Sequence, residues 1–158
     1  RGLVLNGQPG SVTLTSEGRR QAAGVLRRHR LSERLFADVL GLPWDRVHDE
    51  AMRLEHALTP EAEARLATLL NHPETCPHGG PIPAPDGSLT VPPTRPLDGV
   101  PAGTRVWIQQ IIEEEATLLR YLASRTGGLE SIGRLAAEPA DGVQGVQAHL
   151  RRVSPRRG

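Results

Sequence analysis

The sequence is poor in aromatic residues, which make up 3% of its 158 residues. A core must therefore come from Leu, Val, Ile and Ala, which favours closely packed helices over a large aromatic-rich sheet. A single cysteine, Cys76, excludes an intramolecular disulfide and fits a reducing cytoplasm. No apolar run reaches membrane-spanning length and no signal-peptide core is present, so a soluble, cytoplasmic chain without a membrane partner is expected. The formal net charge of +1 gives no whole-chain argument for nucleic acid. Basic residues do cluster locally, in "GRR", "LRRHR" and the tail "LRRVSPRRG". The chain also opens without an initiator methionine, as a fragment of a longer protein would.

What the sequence has in quantity is punctuation. Gly and Pro number 17 and 14, and most prolines fall between Pro73 and Pro101. Ahead of that stretch the pattern is helical. Leu3–Leu5 and Val12–Leu14 flank the turn-forming "NGQPGS" and read as a β-hairpin. Thr15 is an N-cap candidate with Glu17 in the first turn behind it. The helix that follows continues through "LSERLFADVLG", with Leu31, Leu35, Val39 and Leu40 facing inward until Gly41 and Pro43 end it. Asp45 is expected to cap the next helix. Thr59-Pro60 with trailing acids starts another, which ends near Asn71. Residues 73–103 read as an extended connection, Thr104–Ile112 as a strand, "EEEATLLRYLAS" as a helix stopped by Gly127-Gly128, and "VQGVQAHL" as a last strand.

Chemistry concentrates in "VHDEAMRLEH", residues 47–56. His48, Met52, Glu55 and His56 stand at i, i+4, i+7 and i+8 and share a helix face. His29 and Glu33 form a second i, i+4 pair one helix earlier. Antiparallel helices would bring the two sets together, and imidazole, carboxylate and thioether all ligate divalent transition metals. Spacing alone leaves two readings at even weight, a metal site or solvated ion pairs beside a core methionine. His48-Asp49 also spells the dyad of metal-dependent phosphohydrolases of the HD type, though the helices that bundle needs are too few.

The stretches "VTLTSEGRRQA", "LRRHRLSERLFADVLGLPWDRVHDEAMRLEHALTPEAEARL" and "CPHGGPIP" closely resemble the diphtheria-toxin-repressor type of metal-dependent transcriptional regulator, over about Gly2 to Pro83. The resemblance implies an α+β architecture. Residues 1–14 would be the wing hairpin of a truncated winged-helix DNA-binding domain, and 15–83 a helical metal-binding and dimerisation domain. Residues 84–100 would be a Pro-rich linker, and 101–153 an SH3-like domain, incomplete or divergent after Ser124. It also implies an ancillary metal site of His29, Glu33 and His48, and a primary site of Met52, Glu55 and His56. Met52 departs from the Cys or Glu common at its position; the neutral sulfur favours Fe²⁺ over Mn²⁺.

A further ancillary ligand aligns with Glu114, or with Glu113 or Glu115 in a shifted register, while Thr117 stands where the family has Gln. The implied function is a non-enzymatic one: metal promotes a homodimer that binds operator DNA and represses. As given, the chain lacks the recognition helix and is expected not to bind DNA sequence-selectively by itself. The competing expectations are a phosphohydrolase and a dimerisation remnant without metal response. Arg19 and Arg20, nearest the wing, are weak DNA-contact candidates; Arg27 and Arg28 are expected on a solvated helix face. His72, Cys76 and His78 look like zinc ligands, but without a second Cys pair "CPHG" is read as structural.

Overall fold

The computed structural model describes residues 2–6, 11–94, 96, 107–112, 116–126 and 148–151. The architecture is α+β. Strands β1 (Val4–Asn6) and β2 (Val12–Leu14) pair antiparallel, Val4 opposite Leu14, in the expected hairpin. Helix α1 (Ser16–Arg34) follows directly. Thr15 caps it as expected: its hydroxyl accepts from Gly18 N at 3.0 Å and donates to Gly2 O at 2.9 Å, so one side chain ties helix to hairpin. Gly18 is obligatory there, because a Cβ would lie 2.0 Å from Leu3 O.

After Arg34 the helix widens into a π-helical turn, Leu35–Val39. The wider turn changes the residues per turn and with it the face each side chain takes. Leu31 is buried and Leu35 partly buried, as expected, but Val39 and Leu40 are turned out to solvent. Helix α2 (Val47–Leu54) then packs on α1 through Val47 and Ala51, both fully buried. Its N-cap is Arg46, and Asp45 is instead ion-paired to Arg120 at 3.2 Å. Helix α3 (Pro60–Leu69) begins as the sequence foretells, with Thr59 accepting from Ala62 N at 3.2 Å and Pro60 at the first helical position. Leu66 and Ala67 of α3 close a small core on Leu31, with Leu58, Leu70 and Ile82 around it.

In its described residues the proline-rich segment forms no strand ladder, only an isolated bridge between Thr75 and Pro81. Arginines of α1 supply donors to several of its carbonyls, beside the segment's own N–H groups. Arg27 Nη1 donates to Pro83 O at 2.7 Å, Arg30 Nη1 donates to Pro81 O, and Arg34 Nε donates to Thr75 O at 2.7 Å. The 3, 4 spacing puts the three on one helix face, and the segment runs antiparallel to it. Arg27 also binds Glu63 at 2.8 Å, with Arg28 3.7 Å from the same carboxylate. Both arginines are thus clamps between α1 and α3 and not members of a solvated face.

Strand β3 (Trp107–Ile111) pairs antiparallel with β4 (Ala148–Arg151), with an irregularity between Ile108 and Gln110, and α4 (Ala116–Thr126) lies between them in sequence. Ile111 N donates to His78 O at 2.9 Å, which joins β3 to the proline-rich segment. The rest of the expected SH3-like domain, Glu114 included, lies outside the described residues. No described helix is long and apolar enough to cross a membrane.

Gly18→Ala should test the hairpin's anchorage. The new methyl group must push Leu3 away, at an overpacking cost of roughly 1–3 kcal/mol. Faster amide exchange at Thr15, whose N–H bonds Leu3 O at 2.9 Å, is the expected signature.

Candidate metal centre

Glu33 lies on the last turn of α1, fully buried. A buried carboxylate is costly unless its oxygens are satisfied. One oxygen, Oε1, faces three imidazoles: His29 Nε2 at 3.2 Å, His78 Nδ1 at 3.3 Å and His48 Nδ1 at 3.6 Å. The other, Oε2, is buried with no hydrogen-bond partner among the described residues. Two overlapping three-donor groups result, His29–Glu33–His48 and Glu33–Cys76–His78, the donor atoms of each lying within 4.8 Å of one another.

Local structure explains each position. His29 sits one turn before Glu33 on α1. His48 comes from the first turn of α2, where buried Val47 holds the helix against α1. Cys76 and His78 come from a tight turn in which Gly79 N donates to Cys76 O at 2.9 Å. Pro77 presets the turn's second position, and Gly79 takes φ +83°, which side chains rarely adopt. His78 Nε2–H donates to Trp44 O at 2.8 Å, which fixes the ring and points Nδ1 at Glu33; the Trp44 ring lies 5.8 Å away.

His29 also reaches a second carboxylate: Nδ1 is 2.6 Å from Glu55 Oε2. Glu55, nearly buried just past the end of α2, lies 3.1 Å from His56 Nε2 through its other oxygen. His56 is largely exposed and Met52 half exposed. The expected stripe is therefore split. Glu55 shares the inner face with Val47 and Ala51, while Met52 and His56 look outward. Arg28 Nε donates to Glu55 O at 2.8 Å and holds this corner to α1.

The electrostatics are those of an anion among cations. Burial pushes the Glu33 carboxyl up, but His29, His48 and His78 outweigh it and hold it far below the usual carboxylate range. Burial pushes His29 down, and Glu33 and Glu55 more than reverse this; His78 is likewise raised against burial by Cys76 and Glu33. Burial raises the Cys76 thiol. Without a metal the cluster thus holds protons on imidazole and sulfur that a metal would displace. The orphaned Glu33 Oε2 and the mixed N, O and S donors suit a transition metal. Sequence reasoning gave "CPHG" a structural part and passed over Cys76 and His78 as partners of Glu33. The signal available was the Pro-Gly turn chemistry that places both side chains in one buried loop. Arg19 donates to Leu14 O at 2.7 Å and Arg20 pairs with Glu17, both at the exposed base of the hairpin.

This buried centre, with α1 packed on α2 and α3, has a donor set that could hold a transition metal. A family described as "Iron dependent repressor, metal binding and dimerisation domain" matches residues 15–84. Through this segment the chain belongs to the diphtheria-toxin-repressor type of metal-dependent transcriptional regulators. It is 43% identical over 114 residues to the diphtheria toxin repressor of Corynebacterium jeikeium (strain K411), covering 72% of this chain and 44% of that one. It is 54% identical over 72 residues to the iron-dependent repressor IdeR of Mycobacterium tuberculosis (strain ATCC 25618 / H37Rv), covering 46% and 31%. Among solved structures, a manganese-dependent transcriptional repressor in complex with manganese aligns with a TM-score of 0.75 at 43% identity, covering 81% of this chain and 58% of that one. The chain spans less than half the length of these curated relatives.

The charge pattern predicts a stability optimum for the metal-free chain. Glu33 has a folded pKa below its ordinary value of 4.5, so its contribution is present above that pH and lost as pH falls. His29 and His78 are raised above 6.5, so theirs is present below that pH and lost as pH rises through the folded values. Thermal unfolding with chelator present should peak in Tm between pH 4.5 and 6.5 and decline on both sides.

Proposed function

We propose that this chain is the metal-sensing and dimerisation part of a metal-dependent transcriptional repressor. The observation that carries the reading is Glu33, a buried carboxylate with three imidazoles on one oxygen and the other unsatisfied. His29, Glu33 and His48 would hold one divalent ion, with Cys76 and His78 completing its surroundings. Met52, Glu55 and His56 would contribute to a second, with Glu114 as a further candidate ligand to the first. Residues 1–14 would be a wing, 84–100 a linker, and 101–153 an SH3-like domain. A bound divalent ion would supply positive charge to offset the carboxylates, with α1, α2 and the "CPHG" turn each contributing donors to it. Regulation is then linkage: metal that binds the DNA-competent homodimer more tightly shifts the population towards it and towards operator DNA.

Imidazole and sulfur donors favour Fe²⁺ over Mn²⁺ in this reading. The relatives' names divide between the two, an iron-dependent repressor and a manganese-dependent one. A phosphohydrolase is disfavoured because the His48-Asp49 pair is parted: His48 turns to Glu33 while Asp49 is exposed. We assign the chain no catalytic role.

The test is an anaerobic titration with Fe²⁺ and Mn²⁺, on wild type, Glu33→Gln and Glu55→Ala. At a hundredfold over the dissociation constant, metal should stabilise the wild type by about 2.7 kcal/mol. Glu33→Gln should abolish most of that gain, and Glu55→Ala should reduce it. Trp44 emission should change on binding, because His78 beside it exchanges a proton for metal, and Trp44→Phe should remove the change. A wild type that neither stabilises nor changes emission with either metal would leave a dimerisation module without metal response.

A further inference from the structure

We propose that Arg34 is a positioning residue that gives the metal centre its sulfur donor, and so helps to set which metals it prefers. The proposal rests on the metal-centre reading above. Glu33 is shared by two donor groups of different chemistry, one of imidazoles alone and one that includes the Cys76 sulfur. Which group an incoming ion uses depends on where the turn that carries Cys76 and His78 sits. Within the turn, Thr75 and Pro81 form an isolated bridge and Cys76 N donates to Gly80 O at 2.8 Å; its His78 end is held by Trp44 O and by Ile111 N of β3, and neither of these reaches Thr75 or Cys76. What ties it to α1 is the set of three arginines.

Arg34 holds the end of the segment that matters for sulfur. Its Nε donates to Thr75 O at 2.7 Å, and its Nη2 lies 3.4 Å from both Thr75 Oγ1 and Cys76 O. Arg27 and Arg30 hold Pro83 and Pro81, beyond the turn. Arg34 directly follows Glu33, so neighbouring residues of α1 carry the anion and the grip on its sulfur partner. The planar guanidinium reaches two consecutive carbonyls at once, which a lysine ammonium, a single point donor, does not reproduce. A metal–sulfur bond is about 2.3 Å long. Release of the Thr75–Cys76 carbonyls would let Sγ move away from Glu33 and out of bonding reach of an ion held there, while His29, Glu33 and His48 stayed in place on α1 and α2. The centre would then lose affinity for thiophilic ions and keep it for ions content with nitrogen and oxygen.

The experiment uses Co²⁺ as a spectroscopic probe, with Zn²⁺ and Mn²⁺ affinities measured alongside, on the full chain under anaerobic reducing conditions. Wild type should show a sulfur-to-cobalt charge-transfer band that Cys76→Ser abolishes. Arg34→Met should still bind Co²⁺, with unchanged far-UV circular dichroism, but lose most of the band. Its Zn²⁺ affinity should fall by roughly tenfold or more, the usual cost of removing an outer-shell partner, and its Mn²⁺ affinity by much less. Arg34→Lys should restore the band in part. An undiminished band and an unchanged Zn²⁺-to-Mn²⁺ ratio in Arg34→Met would overturn the proposal alone. If Arg34→Met loses its helical signal, Arg34→Lys decides: a weakened band supports the proposal and a wild-type band overturns it. A wild type that binds Co²⁺ without the band removes the sulfur donor and the proposal, while one that binds no Co²⁺ removes the metal-centre reading as well.

Discussion

Everything in the helical part of this molecule is arranged around the problem of one buried carboxylate. Stripping water from an anion costs several kcal/mol, and the chain offsets that cost with groups from three places in the sequence. Glu33 is met by His29 from its own helix, His48 from α2 and His78 from the proline-rich turn. None of these alone satisfies it, and Oε2 remains without a hydrogen-bond partner among the described residues. A core optimised only for stability would use an apolar residue there. Retaining a carboxylate in so demanding a place makes sense if its charge is meant for a cation.

The same demand organises the packing. Small Ala51 and Val47 bring α2 close enough to α1 for His48 to reach the carboxylate, and they turn Glu55 inward towards His29. His29 stands between two carboxylates, one nitrogen to each, so the Glu33 and Glu55 corners share an imidazole. The arginine face of α1 does for the proline-rich segment what a neighbouring strand would do in a sheet. Its donors are side chains, so the segment can be rich in proline and still have its carbonyls satisfied.

Much of the architecture was legible because local signals were strong. Thr15, and Thr59 followed by Pro60, announced helix starts that the structure contains, and the hairpin followed from "NGQPGS" between two apolar runs. Proximity of α1 and α2 followed from two helical donor patterns that made sense only together. What escaped had non-local causes. Asp45 looked like a cap but pairs with Arg120, seventy-five positions away. Arg27 and Arg28 looked like surface charge, because nothing nearby in sequence reveals Glu63 as their partner. Cys76 and His78 share a turn that Pro77 and Gly79 announce, but the segment has no periodicity, so its return across Glu33 is visible only in the folded path.

The π-helical turn at Leu35–Val39 works as a phase slip in the chain. Each residue of an α-helix advances the direction by about 100°, so one residue more or less there rotates all that follows. With the slip in place, Leu35 still faces the core while Val39 and Leu40 look outward, and the chain then leaves through Gly41 at φ +68°. Shortening the turn by one residue would preserve every ligand in the sequence yet re-aim α2 relative to α1. In evolutionary terms, this stretch should tolerate substitution far better than insertion or deletion, because its length and not its chemistry keeps His48 in register with Glu33.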